Sequence, residues 1–174
     1  MDTLELQYIL DHDRWLSSLH AKVCARDQLP TLKPGHVKAY IVNTDISSEP
    51  GEHWVAIFFK DHKAIYFDSY GLPPIPEWKR FMDNNSGTWI FNQTRLQGLS
   101  FVCGIYCLYV LSKLNQGYTL TDIITRNQTS YINDIYVYQW FFSHHTRLYK
   151  LACLSKCLNT HIINQCCGSK HMFV

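Results

Sequence analysis

The spacing of apolar and polar positions changes several times along the chain, and each change predicts an element. Leu4, Tyr8 and Ile9 recur at helical spacing and predict a short N-terminal helix. The stretch through Pro30 and Lys33-Pro34-Gly35 carries turn residues and predicts a loop. Residues 37–43 are β-branched and aromatic and predict a strand, broken by Ser47-Ser48-Glu49-Pro50-Gly51. Residues 53–59 predict a second strand, apolar at nearly every position, as expected when both faces are covered. Lys60-Asp61-His62 turns the chain into a third strand over 63–68. Tyr70-Gly71-Leu72-Pro73-Pro74 predicts a loop, 76–84 a helix and 88–92 a fourth strand. A helix over 103–114 stops at Asn115-Gln116-Gly117, and Thr119 opens another with Asp122 in its first turn. The last helix, 132–145, is rich in aromatics. Strands cluster and helices follow, which predicts an α+β class.

A chain of 174 residues, 47% hydrophobic and 17% charged, can bury one core and is not a disordered segment. The expected domain is 1–147. Residues 148–174 read as an appended Cys-rich tail of unknown order. A formal charge of +2 makes no demand for nucleic acid. Asp2 and Glu5 replace the basic start of a signal peptide, and no apolar run could span a bilayer. The expected setting is therefore an intracellular, reducing one, with the seven cysteines as free thiols in a monomer. The sequons at Asn84, Asn92 and Asn127 read as chance.

Chemistry concentrates in three places. The 53–59/63–68 hairpin carries a His at its start and an Asp at its end. A two-residue turn at 60 and 61 sets His53 opposite Asp68, with Cβ atoms about 4.5–5.5 Å apart. A turn at 61 and 62 makes them diagonal neighbours on one face, and a one-residue slip would separate them. Such a carboxylate fixes the imidazole tautomer and supports its charge. Taken alone, each residue reads as a solvated strand end. His62 reads as exposed. Cys103 opens a helix, where the dipole and an imidazolium both favour thiolate. Gly104 leaves room for a substrate backbone, Cys107 reads as a small core residue, and Cys24 has no evident partner. Gln97 could donate an amide N–H to an oxyanion beside the Cys103 N–H; otherwise it is a polar loop residue. Trp54 packs over the site or serves the core.

These residues resemble a known family. Tyr40-Ile41-Val42-Asn43-Thr44 with Gly51-Glu52-His53-Trp54-Val55-Ala56 resembles the strand-loop-His-Trp segment of the adenovirus protease (adenain) family. Ile65-Tyr66-Phe67-Asp68-Ser69-Tyr70-Gly71 resembles its acidic strand. Leu96-Gln97-Gly98, Ser100 and Cys103-Gly104-Ile105-Tyr106-Cys107 resemble its Gln-Gly, Ser and Cys-Gly-aromatic-Cys signature. The order His, acid, Gln, Cys is also that of the wider clan of SUMO-processing proteases. The resemblance implies a papain-like cysteine protease fold in permuted order, a central mixed sheet packed by helices. It implies a cysteine endopeptidase with His53 as general base, Asp68 as its orienter, Cys103 as nucleophile and Gln97 as oxyanion donor. Trp54 and Gly104 would then face substrate. The implied substrates are viral capsid or precursor polypeptides cut near Gly-containing sites, and the short chain resembles the Polinton (Maverick) transposon or virus-derived branch. The host nucleus or the virion is the compartment such relatives suggest.

The chain also departs from that pattern. Asp68 stands where adenain has Glu. The sequence itself requires no cofactor; the resemblance implies a peptide or DNA activator. Residues 77–95 contain no Cys for a disulfide-linked peptide, and the +2 charge lends DNA little support. Two other readings keep the fold: a SUMO-type isopeptidase acting on a ubiquitin-like protein, and a catalytically dead protein-binding remnant. In the tail, Cys153, Cys157 and His161 recur every four residues and could hold zinc with Cys166, Cys167 or His171. The spacing matches no common zinc-finger pattern, so no metal is expected.

Overall fold

The computed structural model describes residues 1–29, 36–98, 101–125 and 129–160, with side chains as far as 153. The expected loop through Pro30 to Gly35, Ser100, the sequon at Asn127, and the tail residues His161, Cys166, Cys167 and His171 lie outside the described residues, as does the Cys157 side chain.

A five-stranded sheet runs in sequential order: β1 (Lys22–Cys24), β2 (Ala39–Asn43), β3 (Trp54–Lys60), β4 (Lys63–Phe67) and β5 (Thr88–Phe91). The three middle strands are antiparallel, and each edge strand lies parallel to its neighbour. Alternation along the strands explains their unbroken apolar character. Ala39, Ile41, Trp54, Ala56, Phe58 and Phe67 face one core; Tyr40, Val42, Val55, Ile57, Ala64 and Tyr66 face another. Helix α2 (Pro76–Asn85) covers the second face with Trp78, Phe81 and Met82. Helices α1 (Thr3–His12), α3 (Cys103–Asn115), α4 (Leu120–Thr125) and α5 (Ser130–Thr160) form the first. Helix α3 is buried from Gly104 through Ser112, as a helix apolar all round must be. Helix α1 starts on a capping box between Asp2 and Glu5, both bonds 3.0 Å long.

The α+β class and the papain-like arrangement expected from the sequence are those of the structure. Lys60 pairs with Lys63, so of the two turns the sequence allows, the hairpin takes the one at Asp61 and His62. Both turn residues take positive φ, 49° and 60°, the backbone of a type I′ turn, and both are exposed. Strand β1 was not expected; three residues carry too little pattern, and pairing with β2 defines it. Helix α5 runs well past the expected end at 145. The expected domain boundary at 147 falls inside it, between turns whose Leu148, Tyr149 and Ala152 pack on the core. The aromatic run was legible there, but the burial of later turns against α1 was not. Among the described residues no helix is long and apolar enough to cross a membrane, and no group of three metal-ligating side chains forms. Cys153 donates instead to Glu5 of α1, at 3.8 Å.

Candidate active site

Because β3 and β4 are antiparallel, the residue before β3 and the residue after β4 emerge at one end of the sheet. They are His53 and Asp68. His53 Nε2 bonds Asp68 Oδ1 at 2.8 Å, and the two side chains are only 14% and 4% exposed. The pair is diagonal, as the observed turn requires. Continuing the register past the strand ends sets His53 opposite Tyr70, whose ring stacks on the imidazole with centroids 4.8 Å apart.

The carboxylate is held from several directions. The Tyr70 backbone N–H donates to Asp68 Oδ1 at 2.8 Å. Asn92 leaves β5 at the same end because β5 is parallel to β4. It clamps the Asp68 backbone, accepting its N–H at 3.0 Å and donating to its carbonyl at 2.6 Å. Gly71 lets the chain turn here at φ +73°, where an added Cβ would lie 2.7 Å from the Thr94 backbone.

Cys103 is the first residue of α3. Its N-cap, Val102, offers no side-chain cap, and the Gly104 amide meets the sulfur. Burial pushes the thiol pKa up, but the hydrogen bond from His53, the Trp54 amide, the imidazolium charge and the Gly104 amide outweigh it and hold Cys103 below the ordinary thiol value. Burial likewise disfavours the charged His53. Hydrogen bonds to Asp68 and Cys103, and then their charges, overcome that and raise the imidazole to about 9. Nε2 is committed to Asp68, which leaves Nδ1 for the thiol. The site therefore favours a thiolate–imidazolium pair. Cys24 goes the other way, pushed up to about 12 by burial and the charge of Asp27, and burial drives Cys107 well above the ordinary thiol value. Cys107 is fully buried, as a core residue.

Gln97 is buried, 1% exposed, and is not a solvated loop residue. Ser69 donates to its amide oxygen at 2.6 Å, which turns the amide nitrogen toward the Tyr70 hydroxyl, 3.4 Å away. The loop carrying it is tied to two helices. Asp134 of α5 accepts from the Gly98 amide at 3.1 Å and from the Tyr106 hydroxyl at 2.9 Å, and Tyr106 also donates to the Leu96 carbonyl. A Cβ at Gly98 would lie 2.9 Å from the Asp134 carboxylate, which would have to shift to admit one. Beyond Gly98 and Val102 opens a groove of about 760 Å³, walled by Tyr131, Ile135 and Tyr138 of α5. Tyr131 is 72% exposed.

His53, Asp68 and Cys103 are thus in contact, and Gln97 joins them through Ser69 and Tyr70. Of the two readings of Trp54 the structure shows the core one, and Gly104 lies away from an open face. Trp54 is buried, with Nε1 donating to the Met1 carbonyl at 3.1 Å. The Cβ direction of Gly104 meets Leu6 and Trp54 at 3.4 Å, so its smallness serves packing inside the molecule rather than an open substrate face. Sequence reasoning missed Ser69, Tyr70, Asn92, Arg95 and Asp134. Asn92 did carry a signal, a sequon, but its side chain is fully buried.

The five-stranded mixed sheet, packed by helices around the buried α3, makes a papain-like α+β fold. Two crystal structures of the pS273R protease of ASFV are similar to it. One aligns at 16% identity with a TM-score of 0.56, over 87% of this chain and 65% of that one. The selenomethionine form aligns at 24% identity and 0.50, over 62% and 43%. The chain spans less than two thirds of the length of these relatives, and the likeness is one of fold. No protein-family model and no curated protein matches the sequence.

Proposed function

We propose that the chain is a cysteine endopeptidase that cuts viral or transposon capsid or precursor polypeptides near Gly-containing sites. The observation that carries this reading is the buried contact chain from Asp68 through His53 to Cys103, with the thiol lowered and the imidazole raised. In the reaction, the Cys103 thiolate attacks the scissile carbonyl and forms a carbon–sulfur bond. Developing negative charge on the carbonyl oxygen is met by the Cys103 N–H and the Gln97 amide; one such donor is worth about 10²–10³ in rate. His53 gives its proton to the amide nitrogen, the carbon–nitrogen bond breaks, and the amine leaves. Neutral His53 then takes a proton from water, the hydroxide attacks the thioester, and the thiolate departs to restore the ion pair. The groove past Gly98 and Val102 would hold polypeptide next to the scissile bond.

The fold of the SUMO-protease clan favours one second reading: an isopeptidase that uses the same residues on the Gly-Gly tail of a ubiquitin-like protein. Against a binding remnant stands the intact set of His53, Asp68, Gln97 and Cys103. Cleavage of capsid-type precursors and of Gly-Gly-tailed ubiquitin-like conjugates, followed by mass spectrometry, separates the three. Cys103→Ala and His53→Ala each abolish cleavage, and Cys107→Ala retains it. Full activity in Cys103→Ala overturns the proposal.

A further inference from the structure

Acyl transfer needs its base and its oxyanion donor in register, yet here they come from separate elements: His53 precedes β3, and Gln97 lies in the loop before α3. Tyr70 stands between them. Its ring stacks on His53 at an interplanar angle of 29°. Its backbone N–H donates to the carboxylate that orients His53, and its hydroxyl accepts from Gln97 Nε2. The Arg95 guanidinium lies over the same ring, 5.0 Å from its centroid. Arg95 also donates from Nε to the Gln97 carbonyl at 2.9 Å and from Nη2 to the Gly98 carbonyl at 3.0 Å. Arg95 is exposed and Tyr70 only half-buried, so neither is accounted for by core packing. An exposed Arg loses side-chain freedom when it is held in three directed contacts, and a guanidinium can use its edge for carbonyls while its face meets a ring.

We propose that Tyr70 and Arg95 are positioning residues: a bridge that holds the general base and the oxyanion donor in fixed mutual geometry. The inference rests on the cysteine-peptidase reading. Tyr70 limits rotation of the His53 ring. Arg95 holds Tyr70 and the Gln97–Gly98 backbone together, so displacement of either end is felt at the other. Misplacement on the scale of about 1 Å can cost about 10²-fold in rate.

The test uses the full chain, a cleaved peptide, and iodoacetamide alkylation of Cys103 across pH. Tyr70→Leu and Arg95→Met are expected to lower kcat by about 10- to 100-fold while KM stays near the parent value. Tyr70→Leu also moves the alkylation midpoint of Cys103 upward, because a loosened imidazolium stabilises the thiolate less. Tyr70→Phe keeps the stack, and with it the midpoint and most of kcat. In the Tyr70→Leu/Arg95→Met double variant the losses do not add, since the two residues act as one unit. Additive losses, a change in KM alone, or a lowered Tm with parent-like kcat and midpoint overturns the bridge. In the parent chain, alkylation of Cys103 that is indifferent to His53→Ala overturns the peptidase reading beneath it. Parent activity with unaffected Tyr70 and Arg95 variants overturns the bridge alone.

Discussion

At the scale of single residues, charge on His53 and Cys103 sets the pH dependence of the proposed chemistry. The imidazole value rises from 6.5 unfolded to about 9 folded, so its contribution to stability is full below about 6.5 and is lost as pH climbs through about 9. The Cys103 value falls, so its contribution is present at alkaline pH and is lost as pH drops through the lowered value. The ion pair exists between those two limits, and the groups titrate jointly. Asn92 supports the pair without touching it. Asn92→Ala leaves the Asp68 amide and carbonyl without their clamp, at a cost of about 1–3 kcal/mol. Chemical denaturation is expected to show that loss together with reduced turnover; an unchanged midpoint would mean that the clamp is redundant. That His53, Asp68, Gln97 and Cys103 would come together was legible in the sequence, because their types and order suggest chemistry and the hairpin aligns the first two. Asn92 and Asp134 were not, because each acts across 24 or 36 residues of chain, on a backbone group that only the fold brings near.

Among the elements, the β3–β4 hairpin sets the site's geometry. Its two-residue period keeps His53 and Asp68 on one face for either two-residue turn, so the pairing was legible while the choice between the two turns was not. What the pattern lacked was an Asn-Gly signal; Asp61 and His62 take the left-handed region unassisted. His62→Gly removes the penalty of a side chain there and is expected to stabilise the fold by about 1 kcal/mol, read as a raised denaturation midpoint with activity unchanged. Destabilisation instead would contradict the turn. Strand β1 and the later turns of α5 lacked a sequence signal for the same reason: partner elements define both, β2 in one case and α1 in the other.

For the molecule as a whole, two cores back the sheet, and the site sits where its antiparallel middle and the buried α3 meet at one end. Helix α5 belongs to this unit through Asp134 and through Leu148, Tyr149 and Ala152. A chain ending at 147 loses the last three and is expected to be less stable by at least about 2 kcal/mol. A thermal midpoint equal to the parent's would make those turns dispensable. The proposed chemistry depends most directly on an assembled ion pair at Cys103. Alkylation of the intact chain by a peptide electrophile ending in Gly-Gly, followed across pH and mapped to each cysteine, measures it. The predicted result is labelling at Cys103 with a midpoint below the ordinary thiol range, moved up toward that range in His53→Ala. Labelling spread over other cysteines, with a midpoint that ignores His53, would contradict it.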